Sequence, residues 1–304
     1  MISVKRKSSQ RELWRKFGAA DVIIYIFLGI VLFLTFFPFW NAVVLSFNEG
    51  KDAQMGGIYF WPRKFTLENY QKVITDTTIW NAFFVSVLRV VVGVVTTLIV
   101  TAMFAYAISK PHLKFRKFYM VLVLISMYFS GGLIPTYLVI KELGLLNNFL
   151  VYIVVWMFNA FYALVFLSFF RGIPAEIMEA AKIDGAGEGK IFFRIITPLS
   201  KPVMAAVGLF VAVNHWNAWY DNMIYVKKPE LNTLSFLFVK MIQAQQALEN
   251  FASTVSDISV SQSSVSTTTL SLATMMVAIV PIMLVYPFVQ KYFTSGIMIG
   301  SVKG

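Results

Sequence analysis

The sequence predicts an all-α membrane protein with six transmembrane helices. Hydrophobic residues make up 58% of the 304 residues and charged residues 13%, whereas soluble domains contain about 45–50% apolar and about 25% charged residues. A chain this apolar has too few polar residues to cover the surface of a soluble fold. Six stretches have the length of about 20 apolar residues that a bilayer core requires. These predicted spans are residues 21–46, 80–109, 115–140, 149–171, 199–222 and 267–292.

The segment before the first span, residues 1–20, predicts a basic cytoplasmic region with an interfacial helix. Trp14 and Phe17 lie among lysines and arginines, a composition typical of a helix on an anionic leaflet. A secretory signal peptide is the alternative. However, the apolar run from Val22 to Trp40 is longer than a usual h-region, and no small-residue cleavage site follows it. The first span is therefore expected to remain as a transmembrane helix.

The positions of lysine and arginine predict a multi-pass protein of the cytoplasmic membrane with both termini in the cytoplasm. The formal net charge is +11. With the N-terminus inside, 17 of the 26 Lys and Arg residues fall in cytoplasmic segments and 8 in outer segments. This asymmetry follows the positive-inside rule. Membrane topology therefore accounts for the basic charge, and nucleic acid is not expected as a partner.

The rarity of reactive side chains argues against an enzyme or a metalloprotein. The chain has no cysteine and two histidines, His112 and His215. Thiolate sites are therefore excluded, and a histidine zinc site is not expected. The predicted spans contain no cluster of His, Asp or Glu that could act as acid, base or metal ligand. An ion-driven secondary transporter is an alternative class, but it would need a buried carboxylate or paired repeats, and neither is predicted.

Two outer segments are long enough to carry structure of their own. Residues 47–79 contain TLENYQKVITD, which predicts a short helix with Thr66 as the candidate N-cap. Residues 223–266 contain PELNTLSFLFVKMIQAQQALEN, which is compatible with a helix, followed by STVSDISVSQSSVSTTT. The second of these stretches is typical of an exposed loop leading into the last span.

The stretch between the fourth and fifth spans, residues 174–202, predicts a helix-turn-helix. Pro174 suits a first helical turn, and Gly185 allows the left-handed turn that ends a helix. A second amphipathic helix is predicted to follow and to stop at Pro198. Its apolar residues are Ile191, Phe192, Ile195 and Ile196, and the polar residues of the whole segment are Glu179, Lys182, Asp184, Glu188 and Lys190.

Two explanations of this charged segment need no partner protein. The sequence GAGEGK looks like a phosphate-binding loop, but a P-loop has four residues before Gly-Lys and then Ser or Thr. Here Gly185 and Gly189 enclose three residues, and Ile191 follows, so nucleotide binding by this chain is not expected. A solvated loop whose basic residues only set the topology is the second explanation, and composition alone favours it.

The 174–202 segment also resembles the EAA motif of permease subunits of ABC importers. The matching residues are Glu179, Ala180, Ala181, Asp184, Gly185, Ala186, Phe192, Ile195, Pro198 and Pro202. Thr197 departs from the leucine that usually precedes the proline. The resemblance implies a type I ABC importer permease fold, in which this segment forms cytoplasmic coupling helices that dock on a separate ATPase. Residues 21–304 would then be the permease domain, with a C-terminal tail of residues 293–304.

The remaining motifs resemble the carbohydrate-type, MalG-like permeases, in particular the branch that serves complex oligosaccharides. These motifs are ENYQKVI, HWNAWYD and YFTSGIMIGSVKG. The resemblance implies import of an oligosaccharide by alternating access. The implied partners are a second homologous permease subunit, a dimer of ATP-binding subunits and an extracytoplasmic solute-binding protein. ATP and magnesium would bind to the ATPase, so this chain would need no cofactor. A permease for a non-sugar solute is the alternative.

The resemblance also assigns roles to two further regions, the C-terminal residues and the 223–266 loop. Lys303 and Gly304 would reach the ATPase interface, although frayed last residues are the general expectation. The 223–266 loop would reach the solute-binding protein. A disordered insertion is the alternative, because Ser/Thr-rich stretches bury too little apolar area to become ordered.

Polar and aromatic residues inside the predicted spans are candidates for a substrate path, because they are costly in lipid. The candidates are Arg89, Trp156, Asn159, Tyr162, His215, Trp216, Asn217 and Tyr220. Flat apolar faces combined with hydrogen-bonding groups suit sugar rings. Each group has an alternative role: Arg89 could snorkel or pair with a partner subunit, Tyr220 could be an interfacial anchor, and Asn159 and Asn217 could bond neighbouring helices.

Overall fold

A computed structural model describes residues 19–254 and 266–300. Most of the N-terminal region, residues 255–265 of the Ser/Thr-rich stretch, and Lys303 with Gly304 lie outside the described residues. Within the described ranges the chain is helical, apart from an isolated antiparallel bridge between Asn48 and Phe65. The predicted all-α class is therefore confirmed for this part of the chain.

The helices follow one another with short connections. The first half contains α1 Ala19–Ser46, α2 Gly50–Gln54, α3 Glu68–Thr75, α4 Thr77–Ser109, α5 Arg116–Tyr128, α6 Leu133–Glu142 and α7 Val151–Val154. The next group contains α8 Ala160–Arg171, α9 Ala175–Ile183, α10 Glu188–Ile191, a π-helical turn Phe192–Ile196, α11 Thr197–Leu199 and α12 Lys201–Asn217. The last group contains α13 Tyr220–Tyr225, a 3₁₀ turn Pro229–Leu231, α14 Leu234–Thr254 and α15 Thr267–Gly300.

Three helices in the described residues are long and apolar enough to cross a membrane: Asp21–Ser46 of α1, all of α4, and Thr267–Leu284 of α15. The number rises to six if three bent pairs each count as one span. These pairs are α5 with α6 at 114°, α8 with α9 at 77°, and Glu188–Leu199 with α12 at 84°. In the last two pairs α8 and α12 lie in predicted spans, whereas α9 and Glu188–Leu199 lie in the charged 174–202 segment. The prediction of six spans therefore holds only if the bent pairs are counted.

Three of the predicted spans are interrupted, which the hydropathy pattern did not indicate. The third breaks between α5 and α6, where Gly132 has a positive φ of 84°, a conformation that suits glycine. The fourth breaks between α7 and α8. Two backbone groups at this break bond to threonines of α4. Thr97 Oγ1 donates to Trp156 O at 2.9 Å, and Asn159 N donates to Thr101 Oγ1 at 3.4 Å. The fifth breaks after Asn217, between α12 and α13.

The central element is α4, which packs against α8, α12 and α14. Small residues allow the closest approach: Gly93 of α4 lies against the ring of His215, and Gly208 of α12 lies against Leu98. The main apolar cluster between α4, α8 and α12 includes Ala102, Phe166 and Val207, each at most 2% exposed. Close helix contact through small residues is the usual basis of association in membranes.

A set of buried hydrogen bonds around Asn69, the polar knot, joins three parts of the chain. Asn69 Nδ2 donates to the carbonyls of Ser46 and Asn48 at 2.9 and 3.0 Å, and Thr269 Oγ1 donates to Asn69 Oδ1 at 3.0 Å. Asn48 and Asn69 are fully buried, so these bonds satisfy groups that would otherwise be costly. The knot ties the end of α1, the start of α3 and the start of α15 together.

The helices predicted within the 47–79 and 223–266 segments are both present, with one correction to their ends. Helix α3 begins at Glu68 with Leu67 in the N-cap position, so Thr66 is not the N-cap. Thr66 lies one position before this N-cap, and its Oγ1 accepts a hydrogen bond from Glu68 N at 3.2 Å. Helix α14 covers most of the stretch predicted to be helix-compatible.

Gly93→Ala is expected to destabilise the contact between α4 and α12, because a Cβ there would lie 2.5 Å from Nε2 of His215. Overpacking of this kind costs about 1–3 kcal/mol. Gly208→Ala is the matched control, since its nearest neighbour would be Cδ1 of Leu98 at 3.4 Å, on a flexible side chain. Thermal unfolding in detergent should give a lower midpoint for Gly93→Ala than for Gly208→Ala. Equal midpoints would contradict the close contact.

Candidate functional site

The 174–202 segment forms the predicted helix-turn-helix, with one error in its second helix. Helix α9 ends before Gly185, whose φ is +76°, as predicted for a left-handed turn. The second helix passes through Pro198 and ends at Leu199, and at Ser200 the chain bends by 84° into α12. Proline displaces the carbonyl four residues earlier. The π-helical turn Phe192–Ile196 directly before it widens the helix at that point.

The residues of the EAA-like motif divide between an exposed side and a packed side. Ala181 and Phe192 are buried in the main apolar cluster, and Ala186 and Ile195 pack against it. The exposed residues are Glu179, Ala180, Asp184, Gly185 and Pro198, and Pro202 is half-buried in the first turn of α12. The buried half of the motif thus attaches the segment to the helices, and the other half faces outward.

Ile183 is an exposed residue at the turn that the sequence analysis did not single out. It is the last residue of α9 and is 87% exposed, next to the left-handed turn at Gly185. Its neighbours Lys182 and Asp184 are also exposed. The sequence signal for this exposed position is an isoleucine between two charged residues, Lys182 and Asp184, just before the glycine predicted to end the helix.

Glu188 joins the 174–202 segment to the C-terminal end of α4. Its carboxylate accepts a bond from Tyr106 Oη at 2.6 Å and pairs with Lys110 at 3.1 Å and Lys182 at 2.8 Å. The bonds from Lys182 and Tyr106 lower the pKa of Glu188 to about 2, so its carboxylate is charged at physiological pH. Lys110 Nζ also lies 4.1 Å from the centre of the Tyr106 ring. One carboxylate therefore links α4, α9 and α10.

Arg89 is paired within the chain, so neither snorkelling nor pairing with a partner subunit is needed to explain it. Its side chain is 0% exposed and that of Asp221 is 7% exposed. Arg89 Nη1 donates to Asp221 Oδ1 at 3.1 Å, and Nη2 donates to the other carboxylate oxygen. The expectation that no carboxylate is buried was therefore wrong. Asp221 lies near the end of the predicted span 199–222, a position that by itself reveals neither its burial nor its partner.

Three further side chains complete this buried cluster. Arg89 Nε donates to His215 Nδ1 at 3.4 Å, and Trp156 Nε1 donates to Asp221 Oδ2 at 3.1 Å. The Arg89 guanidinium lies 4.7 Å from the centre of the Tyr152 ring. A buried carboxylate is what an ion-driven transporter would require. Here the bidentate guanidinium occupies both oxygens, so Asp221 is a structural counter-charge.

The other candidates for the substrate path separate into surface and interior positions. An open cavity of about 420 Å³ is lined by Trp156, Asn214, Asn217, Tyr220 and Asp221, among others. Arg89 and His215 are buried behind this lining. Tyr162 reaches the same region indirectly, because Asn214 Nδ2 donates to its hydroxyl at 3.1 Å. The structure thus brings Trp156, Asn217 and Tyr220 together and adds Asn214 and Asp221, which the sequence analysis missed.

Asn159 and Trp216 have structural contacts. Asn159 is the N-cap of α8, and its Oδ1 accepts a bond from Tyr162 N at 3.0 Å. The indole of Trp216 lies edge-on to Phe83 at 6.1 Å, and its carbonyl accepts a bond from Ser235 Oγ. Trp216 and Asn217 also line a smaller cavity of about 250 Å³ between α12, α14 and α15.

Asp221→Asn is expected to destabilise the protein strongly, because it leaves the buried charge of Arg89 uncompensated. Breaking a buried pair on one side costs about 3–5 kcal/mol, whereas apolar replacement of both partners is often tolerated. The double variant Arg89→Met, Asp221→Leu should therefore unfold at a higher temperature in detergent than Asp221→Asn. A double variant that is less stable than the single one would argue against a charge-neutralising role for Asp221.

Curated relatives align with nearly the whole chain. Protein LplC of Bacillus subtilis (strain 168) is 36% identical over 284 residues, which cover 93% of this chain and 95% of the relative. The polygalacturonan/rhamnogalacturonan transport system permease protein YtcP of the same strain is 34% identical over 284 residues, covering 93% and 98%. The arabinooligosaccharides transport system permease protein AraQ of Halalkalibacterium halodurans is 28% identical, covering 99% and 100%. No family model matches the chain.

Solved structures agree with these relatives. A chain of a bacterial ABC transporter involved in the import of the acidic polysaccharide alginate superimposes with a TM-score of 0.82 at 29% identity, covering 91% of this chain and 99% of that chain. A second alginate transporter structure, in complex with alginate pentasaccharide-bound periplasmic protein, matches in fold with a TM-score of 0.56 at 16% identity. With relatives above 30% identity over almost its entire length, the chain belongs to the permease subunits of carbohydrate ABC importers.

Proposed function

We propose that this permease subunit passes oligosaccharides through the cytoplasmic membrane by alternating access, driven by a separate ATPase that docks on residues 174–202. The named relatives serve polygalacturonan or rhamnogalacturonan, arabinooligosaccharides and alginate, all of which are carbohydrate chains. The solute-binding protein would dock on the outer side of this chain. The second permease would pair with it in the membrane, and the substrate would pass between the two. The ATPase would meet it at the cytoplasmic side and would hold ATP and magnesium.

The observation that carries the coupling proposal is the exposed apolar tip at Ile183. Single exposed apolar residues are common on protein surfaces. This one, however, is 87% exposed at the end of a helix that packs on the main apolar cluster through Met178 and Ala181. Exposed Glu179 and Asp184 lie on the same segment and can pair with basic groups. A rigid apolar tip with acidic neighbours fits an apolar cleft that has a basic rim.

The contacts of Glu188 with Tyr106, Lys110 and Lys182, here named the Glu188 junction, supply a physical route from this docking surface to the substrate path. Helix α4 has 33 residues and is about 50 Å long at 1.5 Å per residue. Its C-terminal end holds Glu188 through Tyr106 and Lys110. Nearer its other end, Arg89 holds Asp221, which lines the 420 Å³ cavity. A displacement of residues 174–202 would therefore be carried by one continuous helix to the cavity wall.

The cavity itself supports a carbohydrate as the substrate. The aromatic rings of Trp156 and Tyr220 offer flat apolar faces, and the amides of Asn214 and Asn217 offer donors and acceptors. Ligand sites commonly combine an apolar lining with a few placed polar groups. The cavity is open, so a second homologous permease would close the other side of the path. Exposed Tyr128, Phe129 and Ile134, each more than 70% exposed, give that subunit an apolar contact surface at the bend between α5 and α6.

The proposed orientation follows from the charges. Residues 110–117 and 171–201 are rich in Lys and Arg, and the Glu188 junction holds the two regions at one end of α4. By the positive-inside rule this end is cytoplasmic. Both termini would then be cytoplasmic as well. The polar knot and the start of α14 would lie outside, where the solute-binding protein docks.

Ile183→Asp is expected to separate the ATPase from the membrane subunits, because the charge would enter the proposed apolar cleft. The test is affinity purification of the importer in detergent and identification of the copurifying subunits. The second permease should be retained, since Ile183 makes little contact with the rest of this chain. Ile74→Asp is the matched control, because Ile74 is 60% exposed on α3 at the other end of α4. An Ile183→Asp importer that keeps its ATPase as well as the control would contradict the docking proposal.

Glu188→Gln is expected to uncouple the importer without dissociating it. The neutral amide loses both lysine ion pairs, so movement of residues 174–202 would be transmitted poorly to α4. In proteoliposomes we expect ATP-driven oligosaccharide uptake to fall severalfold, with the ATPase still bound. Glu176→Gln, an exposed acidic position on the same segment, is the control and should transport normally. Unchanged uptake by Glu188→Gln would remove the junction from the coupling route.

A further inference from the structure

Residues 55–65, between α2 and α3, form a loop with an exposed aromatic surface. Tyr59 is 60% exposed, Phe60 54% and Trp61 75%. Three consecutive exposed aromatic residues on one ordered loop are unusual, and neither the coupling route nor the cavity uses them. The exposure of these three rings therefore indicates a role apart from coupling and substrate passage.

The loop is fastened to the end of α1. Trp40 Nε1 donates to Phe60 O at 3.0 Å, and Asn41 Nδ2 donates to the carbonyls of Ile58 and Tyr59 at 2.8 and 3.1 Å. The indoles of Trp40 and Trp61 meet edge to face, with centroids 6.0 Å apart. These contacts fix the height of the aromatic residues along α1.

That height coincides with the expected boundary of the hydrocarbon core. Within the span Asp21–Ser46, the apolar run from Val22 to Trp40 that ends before Asn41 has 19 residues, which span about 28 Å at 1.5 Å per residue. A bilayer core is about 30 Å thick. Side chains along this run are largely exposed, from Ile23 at 67% to Leu34 at 65%, as expected for a lipid-facing helix. Trp40 and the loop attached to it therefore lie where the core meets the headgroups.

The loop has the composition that this boundary favours. Tyrosine and tryptophan are enriched at membrane interfaces because their rings are apolar and carry a polar atom. Arg63 and Lys64 follow Trp61 after Pro62, with side chains 48% and 61% exposed. Their partners Asp52 and Glu49 lie at 3.3 and 3.2 Å. This arrangement keeps two basic groups next to the aromatic surface, where lipid phosphates lie.

The loop is also held in shape independently of lipid. Gly56 and Gly57 both have φ of +72°, Ile58 is 6% exposed, and Asn48 Oδ1 accepts a bond from Lys64 N at 2.9 Å. An ordered loop can present its aromatic residues without a large loss of entropy on binding.

We propose that residues 55–65 are a membrane anchor that inserts Tyr59, Phe60 and Trp61 into the phospholipid headgroup region of the leaflet where α1 ends. The anchor extends the lipid-facing surface of α1 sideways and sets the depth of the helix in the bilayer. Because Asn48 and the polar knot are continuous with the loop, the anchor also sets the height of α3 and of the start of α15.

Because the chain contains no cysteine, a single introduced cysteine is the only residue of this chain that a thiol-specific spin label can modify. Trp61→Cys and Tyr59→Cys are each spin-labelled in the importer, reconstituted into nanodiscs of phosphatidylethanolamine and phosphatidylglycerol. The signal of the importer containing the unsubstituted chain is subtracted as background. Power saturation then compares the accessibility of each label to oxygen, which enters lipid, and to a water-soluble nickel chelate. Leu32→Cys on α1, 68% exposed, is the lipid control. Glu230→Cys, exposed on the 3₁₀ turn, is the aqueous control.

The anchor predicts oxygen-to-nickel ratios at 59 and 61 that are severalfold above the ratio at 230 and below that at 32. Ratios equal to that at 230 would place the loop in water and overturn the proposal. Labels inaccessible to both reagents would show that a protein subunit covers the loop, which would also overturn it. None of these outcomes depends on sugar transport or on ATPase docking.

Discussion

A guanidinium in a dry interface between helices needs a counter-charge, and the position of Arg89 therefore constrains much of the fold. Its partner Asp221 lies 132 residues later in the chain, at the start of α13. To bring this carboxylate to α4, the chain breaks after α12, and Trp156 from the break between α7 and α8 completes its hydrogen bonds. A buried pair of this kind contributes little net stability but is costly to break on one side. Its larger effect is to specify which helix ends meet.

Helix α4 connects the two regions on which the proposed transport mechanism depends. Near one end it carries Arg89 behind the wall of the 420 Å³ cavity, and at the other it carries Tyr106 and Lys110 at the Glu188 junction. The helix continues without a break for 33 residues and packs on several neighbours, so it can move as a rigid element. In this arrangement residues 174–202 and the wall of the candidate substrate path contact the same helix, so the proposed coupling needs no chain of intermediate side chains.

The sequence supported some inferences better than others. The turn at Gly185 and the helix before it were predicted correctly, because local backbone preferences determine them. Pro198 was expected to stop the next helix, but the π-helical turn at Phe192–Ile196 accommodates it. The burial of Asp221 was missed because an acid near the end of a span is usually solvated, and its partner Arg89 cannot be recognised across a separation of 132 residues along the chain. Among the substrate-path candidates, Arg89 and His215 are interior, whereas Asn217 and Tyr220 reach the cavity.

The sequence by itself determined that the chain is a helical membrane protein, and its motifs indicated the family to which it belongs. These properties follow from composition, from the length of the apolar runs and from short motifs, all of which are local. Only the tertiary structure decided where the spans break, which acid neutralises Arg89, which half of the EAA-like motif faces outward, and that residues 55–65 lie against Trp40. These features depend on contacts between distant segments, and the energies of such contacts arise only when packing brings the segments together.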